Sequence, residues 1–197
     1  MEYVYIEAIF KPFLDTIPIK LFQAFFGIIE VNRLMANKET IKKEKNYRPN
    51  VAAIVLSNKY PHKCEILIAS RSDIGNAWQF PQGGIDKGET PKEALFRELD
   101  EEIGTNDVTI IAEYPDWVSY DFPPAIAQKM KPYDGQRQRY YLVKLNKDAK
   151  IDINTHHTPE FSQYKFVETK NIYDYITFFK RTVYKQVLKY FKNEGYI

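Results

Sequence analysis

Apolar and polar positions change rhythm several times along these 197 residues. Residues 51–57 (VAAIVLS) and 64–70 (CEILIAS) are short apolar runs joined by the turn-rich NKYPHK, and they predict two β-strands. Residues 78–80 form a short extended stretch that leads into a pair of glycines. Beyond it the spacing becomes helical: Leu95, Leu99 and Ile103 form one apolar stripe at i, i+4 and i+8. Residues 108–113, 117–120, 139–145 and 164–168 then predict further strands. Residues 121–138, with three prolines and mixed charge, read as a long loop, and loops of that length are often functional. A last helix is expected at roughly 177–191. It puts Val183, Val187, Leu188 and Phe191 on one side and Lys180, Arg181, Lys185, Lys189 and Lys192 on its polar rim. Strands alternating with helices make this an α/β chain.

The first 34 residues do not join this pattern. They are rich in bulky apolar side chains, and their most apolar run, 17–31, is interrupted by Lys20, Gln23 and Glu30, too short and broken to span a bilayer. A basic start and a small-residue cleavage site, the marks of a signal peptide, are both missing. Met35 opens a different, solvated composition, MANKETIKKEKNYRPN. We expect an N-terminal extension over residues 1–45, with the natural start at Met35, and one catalytic domain over 46–197. A helix lying on a membrane surface or a partner, and an extra helix packed on the domain, are the competing expectations for the extension.

Composition narrows the classes. With 44% hydrophobic and 15% aromatic residues the chain can bury one sizeable core. A net charge of +2 excludes bulk polycationic binding to nucleic acid, DNA included, so any basic surface must be local. The single cysteine, Cys64, excludes a disulfide framework and a cysteine-rich zinc site, and it is expected to be a buried thiol. A reducing cytoplasm is the expected location.

The chemistry concentrates in residues 83–105, GGIDKGETPKEALFRELDEEIGT. Thr90 is a good N-cap, Pro91 suits the first helical position, and Glu93 three residues on completes a capping box. Gly104 is fitted to the left-handed C-terminal cap. Between these ends Glu98, Glu101 and Glu102 fall at i, i+3 and i+4 and share one helical face. Three carboxylates so close repel one another, and a hard, oxygen-seeking cation such as Mg²⁺ or Mn²⁺ relieves that repulsion. Five of the eight glycines lie between 75 and 104, where bare backbone can approach a ligand or metal.

The order Gly83, Glu89, Arg97-Glu98-Leu99, Glu101-Glu102, Gly104 resembles the signature box of the Nudix hydrolases. Arg48-Pro49-Asn50-Val51, Trp78 to Gly84 and Thr158-Pro159-Glu160-Phe161 extend the likeness over about residues 47–191, toward the bacterial RNA pyrophosphohydrolases and the related dinucleoside polyphosphate hydrolases. The resemblance implies a mixed β-sheet held between helices. It also implies that Glu160 joins Glu98, Glu101 and Glu102 in the metal site, with a carbonyl from Gly83 or its neighbour Gly84. Glu89 and Arg97 become a charge pair tying loop to helix. Glu101 or Glu102 is the expected general base, and Arg48, Arg71 and Lys180 are the expected phosphate clamps, cations suited to phosphate oxygens. Phe179 matches a base-contacting aromatic position, with Thr177 two residues before it where an aliphatic residue is usual. Tyr120 and Gln136 lie in segments that approach the substrate.

The activity so implied is Mg²⁺-dependent removal of pyrophosphate from the 5′ end of triphosphorylated single-stranded RNA, which promotes decay of the transcript. Hydrolysis of dinucleoside polyphosphates is the alternative. A non-catalytic binding module fits poorly, because the box glutamates are all present. Intact-mass analysis of the native protein is expected to return a chain that begins at Met35. A mass matching all 197 residues would contradict that start.

Overall fold

Strand β1 (Tyr47–Leu56) forms the spine of the molecule. The computed structural model describes residues 44–197 apart from 76 and 156, and residues 45–197 form one unit. The expectations for residues 1–34, the start at Met35 included, lie outside the described residues. From Asn50 to Leu56 every residue of β1 is buried, as a central strand covered on both faces requires. It pairs in parallel with β7 (Gly135–Leu145) and antiparallel with β2 (Glu65–Arg71) and β4 (Gln82–Gly84). Strand β2 also pairs with β3 (Trp78–Gln79) and β8 (Phe161–Glu168). Strand β7 also pairs with β5 (Val108–Glu113) and β6 (Val118–Asp121), which completes a mixed eight-stranded sheet.

The twofold alternation of β1 divides the core. Val51, Ala53 and Val55 face helix α1 (Pro91–Ile103), whose Leu95, Leu99 and Ile103 are buried against them. Ala52, Ile54 and Leu56 face the C-terminal helix, which buries Val183, Val187, Leu188 and Phe191. The expected sheet between helices is therefore present, with the two apolar stripes covering opposite faces.

Several expected elements end differently. Strands β1, β7 and β8 start earlier than the apolar runs suggest, because Tyr47, Arg48, Gln136 and Gln138, and on β8 Gln163, continue the ladders with polar side chains. The expected loop 121–138 instead holds the end of β6, the short helix α2 (Pro124–Lys129) and the first residues of β7. Pro124 at the first helical position starts α2 rather than blocking it. The last helix begins later than expected: a 3₁₀ turn (Phe178–Lys180) precedes α3 (Arg181–Asn193). Lys180 is buried rather than on the polar rim, and Cys64 is only half-buried.

Both expected caps of α1 form. The Thr90 hydroxyl accepts the Glu93 N–H at 3.3 Å, and the Thr90 N–H donates to Glu93 Oε2 at 2.8 Å. Gly104 takes φ 69°, and its N–H donates to the Asp100 carbonyl at 3.0 Å. A Cβ there would also run into the carbonyl oxygen of Asp152. Thr90→Ala is thus expected to lower unfolding free energy by about 1 kcal/mol. Gly104→Ala should cost more, at least about 1–2 kcal/mol, since strain and collision add. Urea unfolding measures both, and a Gly104→Ala cost no larger than that of Thr90→Ala would contradict this account of the cap.

Candidate active site

The glycine turn and the carboxylate helix meet at the edge of β1. Strand β4 sets Gly83 opposite Val51, and helix α1 lays the Glu98 carboxylate directly against Gly83, where a Cβ would overlap it. Gly84 meets a second polar group in the same way, since the Arg48 guanidinium occupies the space a Cβ would need. Arg48 makes no ion pair among the described residues.

Arg97 fastens this corner. Its Nε and Nη2 donate to Glu89 at 2.9 and 2.8 Å, its Nη2 also to the Gly84 carbonyl at 2.8 Å, and its Nη1 to Glu98 at 2.7 Å. Glu101 lies 3.3 Å from the same Nη1 with its side chain about half exposed. The Glu89 bond contributes most to holding Arg97 in its charged form. Glu89 in turn accepts the Asp86 N–H, so loop and helix are tied as expected.

Glu102 lies deepest, 3% exposed. Its Oε2 accepts the Gln82 N–H at 2.7 Å, while its buried Oε1 has no hydrogen-bond partner. Burial first, and then the charges of Glu160 and Glu98, push its carboxyl well above the usual range. Burial likewise raises Glu98, against the opposing pull of Arg97. Glu160 arrives from the segment before β8 and pairs with Arg71, which also forms a two-pronged pair with Asp73 at 2.7 and 2.9 Å. Among the described residues no three acidic, histidine or cysteine side chains close into a finished coordination shell, with Arg97 holding Glu98 and Arg71 holding Glu160. A buried oxygen without a partner and a cradle that only glycine leaves open fit a divalent cation nonetheless.

A polar seam adjoins the carboxylates. Lys180 is 5% exposed, and its Nζ donates to Gln79 Oε1 at 2.6 Å and Gln82 Oε1 at 2.9 Å. Burial, then the nearby Arg71, lowers it to about 7. Gln136 Oε1 accepts from Gln82 at 3.0 Å and from the Tyr120 hydroxyl at 2.5 Å, and both Tyr120 and Gln136 are buried. The half-buried Phe179 ring lies 5.7 Å from that of Tyr120, centroid to centroid. The expected residues thus form two neighbouring groups, carboxylates with arginines and a seam of amides with aromatics. Arg71 is the one expected phosphate clamp already held by carboxylates.

Gln79, Gln82, Asn50 and Gln138 were not among the expected site residues. Gln138 donates to Asn50 at 2.6 Å and accepts from Tyr140 at 2.6 Å, which carries the amide seam further into the sheet. Polar residues at every second position of β7 (Gln136, Gln138, Tyr140) are the sequence signal for it.

A NUDIX domain model matches residues 46–187, and the chain belongs to the Nudix family. An RNA pyrophosphohydrolase of Nitratiruptor sp. is 67% identical over 78% of this chain and 98% of its own length. That of Campylobacter jejuni is 63% identical over 80% of this chain and all of its own. The E. coli dihydroneopterin triphosphate pyrophosphohydrolase shares the fold at a TM-score of 0.57 and 18% identity, covering 72% of this chain and 97% of that one. Nudix hydrolases generally use divalent metals, in keeping with the carboxylate cluster.

A buried carboxylate with one unpartnered oxygen beside two others destabilises the metal-free protein. Its carboxyl is raised above the ordinary 4.5, so the folded state binds more protons above that pH and stability falls as pH rises. Glu102→Gln is expected to stabilise the protein in EDTA by about 1–2 kcal/mol and to flatten that fall. Thermal melts across pH check this, and a lower midpoint for Glu102→Gln in EDTA would contradict it.

Proposed function

We propose that this chain removes pyrophosphate from the 5′ end of triphosphorylated single-stranded RNA, leaving a 5′-monophosphate and promoting decay of the transcript. The observation that carries the proposal is the 53–67% identity to RNA pyrophosphohydrolases over most of the chain, joined to a complete set of box glutamates. In this reading the ion is Mg²⁺, with Mn²⁺ as a substitute. Glu98, Glu101, Glu102 and Glu160 would hold it, with the Gly83 carbonyl rather than that of Gly84, which already accepts from Arg97. The metal would neutralise the polyphosphate and favour attack of water on phosphorus.

The remaining roles fall to this chain's own side chains. Glu101, about half exposed, is better placed than the buried Glu102 to accept the proton of the attacking water. Arg48 and Lys180 grip phosphate oxygens, and Arg71 joins them by exchanging a carboxylate for a phosphate. Gln79 and Gln82 hold the Lys180 ammonium in position by their carbonyls. Phe179, backed by Tyr120, offers a face for the first bases, and Gln136 holds the Tyr120 hydroxyl from behind. No helix among the described residues is long and apolar enough to cross a membrane, and a cytoplasmic site of action accords with the lone cysteine.

The test compares kcat/KM on 5′-triphosphorylated RNA and on the dinucleoside polyphosphate Ap4A, with Mg²⁺ and product analysis. Faster pyrophosphate release from RNA is the expected result, and Glu98→Gln should fall by at least about 10²-fold. Preference for Ap4A would make the chain a nucleotide-clearing enzyme and remove the base-stacking role of Phe179.

A further inference from the structure

The large apolar side chains exposed among the described residues are Ile74, Tyr164, Tyr175 and Phe178. All four lie on β8 or on segments bordering β2 and β3, and two, Tyr175 and Phe178, lie three residues apart on the segment that leads into Lys180. Phe178 is 82% exposed and Tyr175 37%. Their segment is fastened to the sheet by the pairing of Ile176 with Trp78. Tyr175 meets Trp78 edge to face, with ring centroids 6.0 Å apart. Lys165 Nζ lies 3.4 Å from the Tyr175 centroid and 4.2 Å from that of Trp78, which fixes the tyrosine ring in place. Residues 163–185 carry five cations (Lys165, Lys170, Lys180, Arg181, Lys185) against two acids, Glu168 and Asp174. Lys180 is buried and Lys170 pairs with Glu168, which leaves Lys165, Arg181 and Lys185 neither buried nor ion-paired among the described residues. In a chain of net charge +2 this is a local concentration of positive charge. It borders the phosphate end of the site along the chain, since Phe178 opens the 3₁₀ turn that ends at Lys180.

Resting on the RNA reading above, we infer that Tyr175, Phe178 and Lys165 form a second surface that binds the body of the RNA, downstream of the nucleotides held at the active site. Solvent-facing aromatic rings accept any base by stacking, and neighbouring lysines neutralise the phosphates between them. The charge favours a polyanion. An RNA emerging from the pocket already has its phosphates led toward this side by Lys180, whereas an acidic polypeptide would leave the exposed rings unused.

The binding test needs no catalysis. Fluorescence anisotropy in EDTA would follow a 5′-hydroxyl single-stranded RNA of about twelve nucleotides, with polyglutamate as a second probe. Phe178→Ala, whose ring is already in solvent, is expected to weaken RNA binding about tenfold. Lys165→Gln should lower the salt slope by about 0.7. Ap4A cleavage and the melting midpoint of Phe178→Ala should stay at wild-type values. Unchanged RNA affinity in Phe178→Ala would overturn the inference, as would a wild-type protein that binds polyglutamate and not RNA. Weakened binding in Phe178→Ala by an enzyme that releases no pyrophosphate from RNA would uphold this surface and refute the proposed activity.

Discussion

One guanidinium, that of Arg97, joins the glycine turn to the carboxylate helix. It spends its donors on Glu89, on the Gly84 carbonyl and on Glu98, and it lies within 3.3 Å of Glu101. Remove it and the loop loses its tie to the helix while Glu98 loses its countercharge. Half-buried charged hydrogen bonds of this kind are each worth about 1.5–3 kcal/mol, so the tie is strong enough to hold a close approach. The approach it holds is that of Glu98 to Gly83, close enough that no side chain fits between them.

The fold tolerates a cost at this corner because the rest is consistent. Two apolar stripes, one on α1 and one on α3, cover opposite faces of one central strand, and both ends of α1 are capped. Against that background Glu102 stands out: buried, repelled by Glu98 and Glu160, and left with one oxygen unpartnered. Local conflict inside a well-agreed fold is the physical mark of a functional site. The same stress that weakens the metal-free protein would give a cation bound there favourable binding energy.

Much of this was legible in the sequence because the pertinent patterns are local. The capping box, the 3.6-residue stripe and the carboxylate face each lie within a few residues, and all appear as expected. Long-range and polar contributions were less legible. Strands β1 and β7 run on through Arg48, Gln136 and Gln138, whose polarity resembles a loop until the sheet pairs them. Lys180 looked like a rim lysine by helical spacing, but a 3₁₀ turn rotates it inward to meet Gln79 and Gln82. The pairing of Arg71 with Glu160, 89 residues apart, has no local signal at all.

The central claim is that the Gly83–Glu98 cradle and Glu102 together bind a divalent cation. Titration of EDTA-stripped protein with Mn²⁺, followed by the electron paramagnetic resonance of the free ion, tests it most directly. The account predicts saturable binding by the wild type and a large loss of affinity in Gly83→Ala, where the new methyl group displaces the Glu98 carboxylate. Equal Mn²⁺ binding by Gly83→Ala and the wild type would contradict it.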